Sequence, residues 1–257
     1  MEIISFVILH YGDSEITDRC VQSICSMEGQ EAVQLVIVDN DIGKKDALRF
    51  ERKKKYEQQA PNITVLINRG NGGFSEANNL GYQYARDRLK ASFILVLNND
   101  IEFIQKDFPT HLYQAYQECK CHVLGPDIIR SGTGEHQNPL DERLRTKATI
   151  RKNRMALKLY PLIYPLLYWN NRWMERTQTQ ERKKSKDYYK SKKEKIVPFG
   201  ACLIFTPLFV KAEEKAFDPE TQFYYEEYIL ACRCQKKGYR IVYDPSLKMH
   251  HESGKAT

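Results

Sequence analysis

No stretch of this 257-residue chain approaches the ~20 consecutive apolar residues that a membrane-spanning helix requires. The opening run Ile3 to Leu9 follows an acidic Glu2 and lacks a basic start or a small-residue cleavage site, so no secretory leader is expected. Seven cysteines are present, but Cys20 and Cys25, Cys119 and Cys121, and Cys232 and Cys234 lack the paired CxxC spacing of a zinc site. The expectation is free thiols in a reducing cytoplasm. No internal repeat is visible. The glycine-containing loop at 68–75 has no Gly-Lys-Ser/Thr, and it comes after the third expected strand rather than the first. That sets aside both the P-loop and the dinucleotide fingerprint.

What is abundant is unevenly distributed charge. The formal net charge is +7, yet residues 143–195 hold 17 Lys/Arg against 4 Asp/Glu, a local +13. The rest of the chain must therefore carry −6 to reach the total. A mildly acidic body with one strongly basic segment points to an anionic partner surface. Within that segment, Leu159 to Trp169 is uncharged, Tyr/Pro/Leu-rich and flanked by Arg151, Lys152, Arg154, Lys158 and Arg172. Eleven residues cannot span a bilayer, and Pro161 and Pro165 exclude a long regular helix. Aromatic ends and basic flanks suit a membrane interface; an apolar lid over the domain is the competing reading. Nucleic acid would account for the charge but not for the apolar block, and no nucleic-acid fold signature appears.

The first hundred residues alternate in period. Ile3–His10, 33–38, 62–67 and 92–97 are short apolar runs that read as buried strands. Between them lie helical patterns at 14–27, 44–58 and 75–88, the last with Ser75 as its N-cap. Such alternation predicts parallel strands joined by crossover helices. Further on, a helix through His111 to Tyr116 leads to a strand at 121–124 that Gly125-Pro126 should end. Residues 131–139 are turn-rich. A strand spans 197–205 around Gly200, a helix from Tyr224 stops at Gly238, and a last strand at 241–243 precedes Asp244-Pro245. The length suits one α/β domain, residues 1–257, carrying the basic segment 140–195 as an insertion.

Several residues carry chemistry, each with a plainer alternative. Asp39 ends a strand, where a carboxylate faces the ligand crevice of an open sheet; it also fits a turn-forming Asp-Asn-Asp cluster. The loop 68–75 either lets backbone approach an anion or is a flexible turn. Asn98-Asn99-Asp100 ends another strand, and Asp100 suits a hard cation that neutralises a diphosphate, or else caps the next element. Glu226 and Glu227 open a helix, where acids offset the dipole, and either can act as a general base. His251 is a metal ligand or a solvated histidine.

Taken in order, these pieces resemble the inverting family-2 glycosyltransferases of the GT-A fold, in particular the bacterial rhamnosyltransferase-like branch. The matching stretches are 6–11, 36–40, 71–81, 97–100, Gly200-Ala201, 223–227 and 238–251; their order and spacing match, and the resemblance covers roughly three quarters of the chain, with the basic segment outside it. The resemblance implies a mostly parallel central sheet flanked by helices, with a basic helical or loop insertion. It implies that Asp39 contacts the nucleotide base with Tyr11 beside it. Asn71, Asn78, Asn98, Gly200 and Ala201 would line the donor site, although relatives often carry arginine at the position of Asn78. Asp100 would match the last acid of the metal motif, with Asn98 replacing the first, and His251 would complete the site for Mg²⁺ or Mn²⁺. Glu227 would be the catalytic base, with Glu226 as helper or alternative; relatives usually have Asp there.

The implied activity is transfer of a sugar from a UDP-, dTDP- or GDP-linked donor to a hydroxyl of a glycan or lipid-linked acceptor, in bacterial cell-surface polysaccharide synthesis. The place is the cytoplasm, peripherally on the inner face of the membrane. The alternative is a catalytically weakened nucleotide-sugar-binding scaffold, which the Glu at 227 would favour.

Overall fold

The computed structural model of the chain describes residues 2–70, 73–142, 144, 188–219 and 225–252. In chain order the elements begin β1 (Ile4–His10), α1 (Ser14–Cys25), β2 (Val33–Asp39), α2 (Asp46–Gln59), β3 (Ile63–Ile67), α3 (Phe74–Asp87), β4 (Phe93–Asn98) and β5 (Ile101–Phe103). They continue with α4 (Phe108–Cys119), β6 (Val123–Arg130), β7 (Lys193–Glu194), β8 (Cys202–Phe205), α5 (Pro207–Ala212), α6 (Glu226–Lys237) and β9 (Ile241–His251). The strands form one sheet in the order β3-β2-β1-β4-β8-β6-β9-β5, with β7 paired to β9.

The alternation of side chains explains why these runs read as continuous apolar strands. Phe6, Ile8, Leu35, Ile37 and Leu95 face one core, shared with Val21 and Ile24 of α1, Tyr56 of α2 and Leu112 of α4. Val7, Val36, Val38 and Val96 face the other core, shared with Tyr82 and Ala85 of α3, Phe209 of α5 and Leu230 of α6. Both faces are covered, so every residue of β1 is buried. Helix α3 lies unusually close. A Cβ on Gly81 would fall 2.3 Å from Val7 Cγ1 and 2.7 Å from Val38 Cγ2.

The parallel expectation holds across β3-β2-β1-β4. Beyond β4 the sheet turns mixed, because β8 runs antiparallel to both β4 and β6 while β6 and β9 run parallel. Register sets the carboxyl ends level: His10 lies opposite Asp39, and Leu9 opposite Asn98.

Four local expectations are corrected. Gly125-Pro126 does not end β6, which runs on to Arg130; β8 pairs only with Val123 and Leu124, so the proline sits beyond that partner and at a register shift. Asp244-Pro245 does not end β9 either. The register jumps from Pro126 opposite Asp244 to Asp127 opposite Lys248, so residues 245–247 bulge out, and the strand resumes as far as His251. Ser75 is not the cap of α3; Gly73 occupies that position and Ser75 is buried in the first turn. Finally, Cys119 and Cys121 are joined in a disulfide, brought together by the left-handed turn at Lys120 that ends α4.

Candidate active site

The bulge in β9 has a consequence at its far end. Resumed pairing sets His251 opposite Ile101 of β5 and Arg130 of β6, directly beside the turn that holds Asp100. His251 Nε2 lies 3.2 Å from Asp100 Oδ1, and Glu252 N donates to Asp100 O at 2.9 Å. Both side chains are buried, and among the described residues Asp100 Oδ1 accepts no hydrogen bond. On the other side of the ring, His251 Nδ1 lies 2.7 Å from Gln137 Oε1. A hard carboxylate oxygen without a partner next to an imidazole nitrogen is a donor set that fits Mg²⁺ or Mn²⁺. Among the described residues no group of three or more His, Cys, Asp or Glu converges, so the protein would supply two ligands and leave the other positions to phosphate oxygens or water.

A short path of contacts leads from this corner to Glu227. Asn98 N donates to Ala201 O at 3.0 Å, joining the end of β4 to the Gly200-Ala201 corner before β8. Gly200 in turn lies under Glu227: a Cβ there would sit 2.1 Å from Glu227 Oε1. Phe199, one residue earlier, packs edge-on against the His251 ring at 5.8 Å between centroids. Glu227 opens α6 next to Glu226, whose Oε1 is buried without a hydrogen-bond partner among the described residues. Burial raises the Glu227 pKa above the ordinary carboxylate value, and the charge of Glu226 adds to this; N–H donors, its own and that of Gly200, act in the opposite direction. Asp100, His251, Asn98, Gly200, Ala201 and Glu227 are thus linked through direct contacts.

The end of β2 forms a second, adjoining cluster. Asp39 is fully buried, and both its carboxylate oxygens meet arginines: Arg49 Nε donates to Oδ1 at 3.0 Å, Arg52 Nη1 to Oδ2 at 2.5 Å. Arg49 also donates to Asp39 O and to Asn68 O, each at 2.7 Å, tying the ends of β2 and β3 together. His10, level with Asp39, is buried with Nδ1 on Thr17 Oγ1 at 2.6 Å. Burial, and then the Arg52 charge, lower its pKa to about 4. Tyr11 is half exposed, and its carbonyl accepts from Asn99 Nδ2 at 3.1 Å, which connects this cluster to the Asn98-Asn99-Asp100 turn. Asn78 is completely buried and its amide bonds Phe74 O within α3. Asn71 lies outside the described residues.

Sequence reasoning missed Arg49, Arg52, Gln137 and Asn138. Arg49 and Arg52 stand in the heavily charged helix α2, and only their i, i+3 spacing hints at a shared target. Gln137 and Asn138 lie in a turn-rich stretch with no periodic signal at all.

A model of the family described as glycosyl transferase family 2 matches residues 5–197. The chain belongs to that family. The matched stretch includes Asp39, Asn98 and Asp100, whereas Gly200, Glu227 and His251 lie beyond it. Among curated proteins, the low-salt glycan biosynthesis hexosyltransferase Agl10 of Haloferax volcanii is 25% identical over 143 residues, 55% of this chain and 42% of that protein. The chain therefore spans less than half of that relative's length. Among solved structures, GalNAc-T7 with UDP, GalNAc and Mn²⁺ superposes with a TM-score of 0.63 at 13% identity, covering 98% of this chain and 44% of the other. The mannosyltransferase PcManGT from Pyrobaculum calidifontis, in complex with GDP-Man and Mn²⁺, gives 0.59 at 11% identity, covering 98% and 57%. At those identities the likeness establishes the fold, a GT-A-like sheet with flanking helices.

Proposed function

We propose that this family-2 chain is an inverting glycosyltransferase of the rhamnosyltransferase-like branch. It moves a sugar from a nucleoside-diphosphate donor to a hydroxyl of a glycan or lipid-linked acceptor in cell-surface polysaccharide synthesis. The observation that carries this reading is the contact path from Asp100 and His251 through Asn98, Ala201 and Gly200 to Glu227. It provides a cation-binding corner and, joined to it, a carboxylate whose basicity is raised by burial.

In this reading Glu227 accepts the proton of the acceptor hydroxyl at its carboxylate while that oxygen attacks the anomeric carbon from the face opposite the departing diphosphate. One in-line displacement inverts the anomeric configuration. Gly200 keeps the Glu227 carboxylate close to the donor corner, and Asn98, Gly200 and Ala201 line the donor side. Asp39 and Tyr11 bind the nucleoside end, with Asn71 and Asn78 as further donor-side candidates. The arginines on Asp39 hold its carboxylate fixed, so the oxygens accept from the base in one orientation. Asp100 and His251 would hold Mg²⁺ or Mn²⁺, and the chemistry such a cation supplies when bound is neutralisation of charge on the leaving diphosphate. The two structural neighbours described above, with UDP and with GDP-Man, also contain Mn²⁺, which supports the donor class and the metal.

The raised basicity of Glu227 favours catalysis over the scaffold alternative. A panel of UDP-, dTDP- and GDP-sugars with Mn²⁺, read by product formation and product anomer, tests the reading. Glu227→Gln is expected to abolish transfer, leave donor affinity within about twofold and not lower thermal stability, because it removes a desolvated charge while keeping an acceptor oxygen. Full turnover by this variant would remove Glu227 from the mechanism.

A further inference from the structure

The turn after β6 fixes three successive side chains on three different targets. His136 Nδ1 lies 2.7 Å from the buried Asp127 Oδ1. Asn138 Nδ2 donates to Pro126 O at 2.6 Å, and its Oδ1 accepts from Phe199 N at 3.0 Å. Between them, Gln137 N donates to Ile128 O at 2.8 Å, so the backbone at 137 is itself held against β6. With both neighbours and its own amide pinned, the Gln137 side chain has little freedom, and it points at His251.

The bond it makes there determines which nitrogen of His251 carries the proton. Gln137 Oε1 can only accept, so at 2.7 Å it takes the proton of Nδ1. Nε2 then presents a lone pair. Nε2 lies 3.2 Å from Asp100 Oδ1, off the line a hydrogen bond would need, and among the described residues that oxygen accepts no hydrogen bond. An imidazole nitrogen and a carboxylate oxygen at this distance, with no hydrogen bond between them, suit adjacent positions around one cation. Groups that bond the second nitrogen of a ligating histidine fix its tautomer and ring plane.

We propose that Gln137 is a positioning residue for divalent-cation binding, holding His251 in the Nδ1–H tautomer with Nε2 turned to Asp100. This rests on the metal corner of the proposed function, but its test separates the two. Ring ¹⁵N spectra of the metal-free full chain report the tautomer directly, with His251→Asn supplying the assignment. The Nδ1–H form is expected in the wild type and its loss in Gln137→Met, which keeps chain length and removes the acceptor. Electron paramagnetic resonance titration of free Mn²⁺, with UDP, dTDP or GDP in separate arms, reports affinity. Gln137→Met is expected to weaken Mn²⁺ binding by about 10- to 100-fold, as loss of such a supporting bond does elsewhere. Gln137→Glu retains an acceptor oxygen and is expected to stay within about threefold of wild type. An Nε2–H tautomer in the wild type, or Gln137→Met binding Mn²⁺ as tightly as wild type, overturns the proposal. Failure of the wild type to bind Mn²⁺ in every arm instead overturns the metal reading itself. If Gln137→Met does not fold, the wild-type spectrum and Gln137→Glu still decide.

Discussion

At the scale of single residues, the site is built from groups whose charge state depends on burial. His10 is the clearest case. Its pKa falls from 6.5 to about 4 because the ring is desolvated and Arg52 is close. A buried neutral histidine stabilises the fold fully above its unfolded pKa, and that contribution is lost as pH falls from about 6.5 through 4. The magnitude is on the order of 3 kcal/mol. Urea denaturation of His10→Gln, compared with wild type at pH 7 and pH 4, should therefore show a smaller loss of stability in acid; parallel losses would contradict the assignment. Asp100 poses a different question, because its unpartnered oxygen is costly unless something binds it. Asp100→Ala should weaken Mn²⁺-dependent nucleotide binding at least tenfold while thermal stability in the absence of metal holds or rises. Unchanged metal titration would count against its role.

At the scale of elements, close approach matters more than hydrogen bonding. The Gly200 corner before β8 and the first turn of α6 meet with no room for a side chain. A methyl group at 200 would lie 2.1 Å from Glu227 Oε1 and 3.1 Å from its Cγ. The obstructed atoms belong to the far end of a side chain, so Gly200→Ala should swing the carboxylate aside rather than unfold the domain. Transfer is expected to fall about 100-fold or more, since displacements near 1 Å at a reacting group have that effect. The unfolding free energy should change by no more than about 1–3 kcal/mol. Paired kinetics and chemical denaturation check both halves, and retained activity would show that Glu227 is not held by this corner. The bulge at 245–247 is a second case. Without it, continuous pairing of β6 and β9 would set a different residue opposite Ile101, and His251 would not meet Asp100.

At the scale of the whole molecule, the basic segment leaves and returns at one place. Leu140 N donates to Val197 O at 2.9 Å, and Asp141 pairs with Val197 as an antiparallel bridge. Its last residues belong to the body: β7 pairs with β9, Lys192 meets the buried Asp244 at 2.8 Å, and Tyr243 donates to Tyr189 O at 2.8 Å. The apolar block 159–169 and most of its basic flanks lie outside the described residues. Among the described residues no helix is long and apolar enough to cross a membrane. We propose that the segment docks peripherally at an anionic leaflet, at ~1 kcal/mol for each cation near the surface. Flotation with vesicles containing phosphatidylserine should carry the protein upward, and neutral vesicles should not; equal binding to both, or to neither, would end it. Much of this architecture was legible beforehand, because the buried strands 4–10, 33–39, 63–67 and 93–98 and the helices between them follow directly from apolar periodicity. The order and types of the candidate site residues, and with them the family, were carried by short motifs that need no coordinates. Tertiary structure alone decided that β8 enters antiparallel, that β9 bulges and continues, that Arg49 and Arg52 close on Asp39, and that Gln137 bonds His251. Those features depend on pairing between residues far apart in sequence, where the energy lies in a shared register and shared burial, and local pattern carries no record of either.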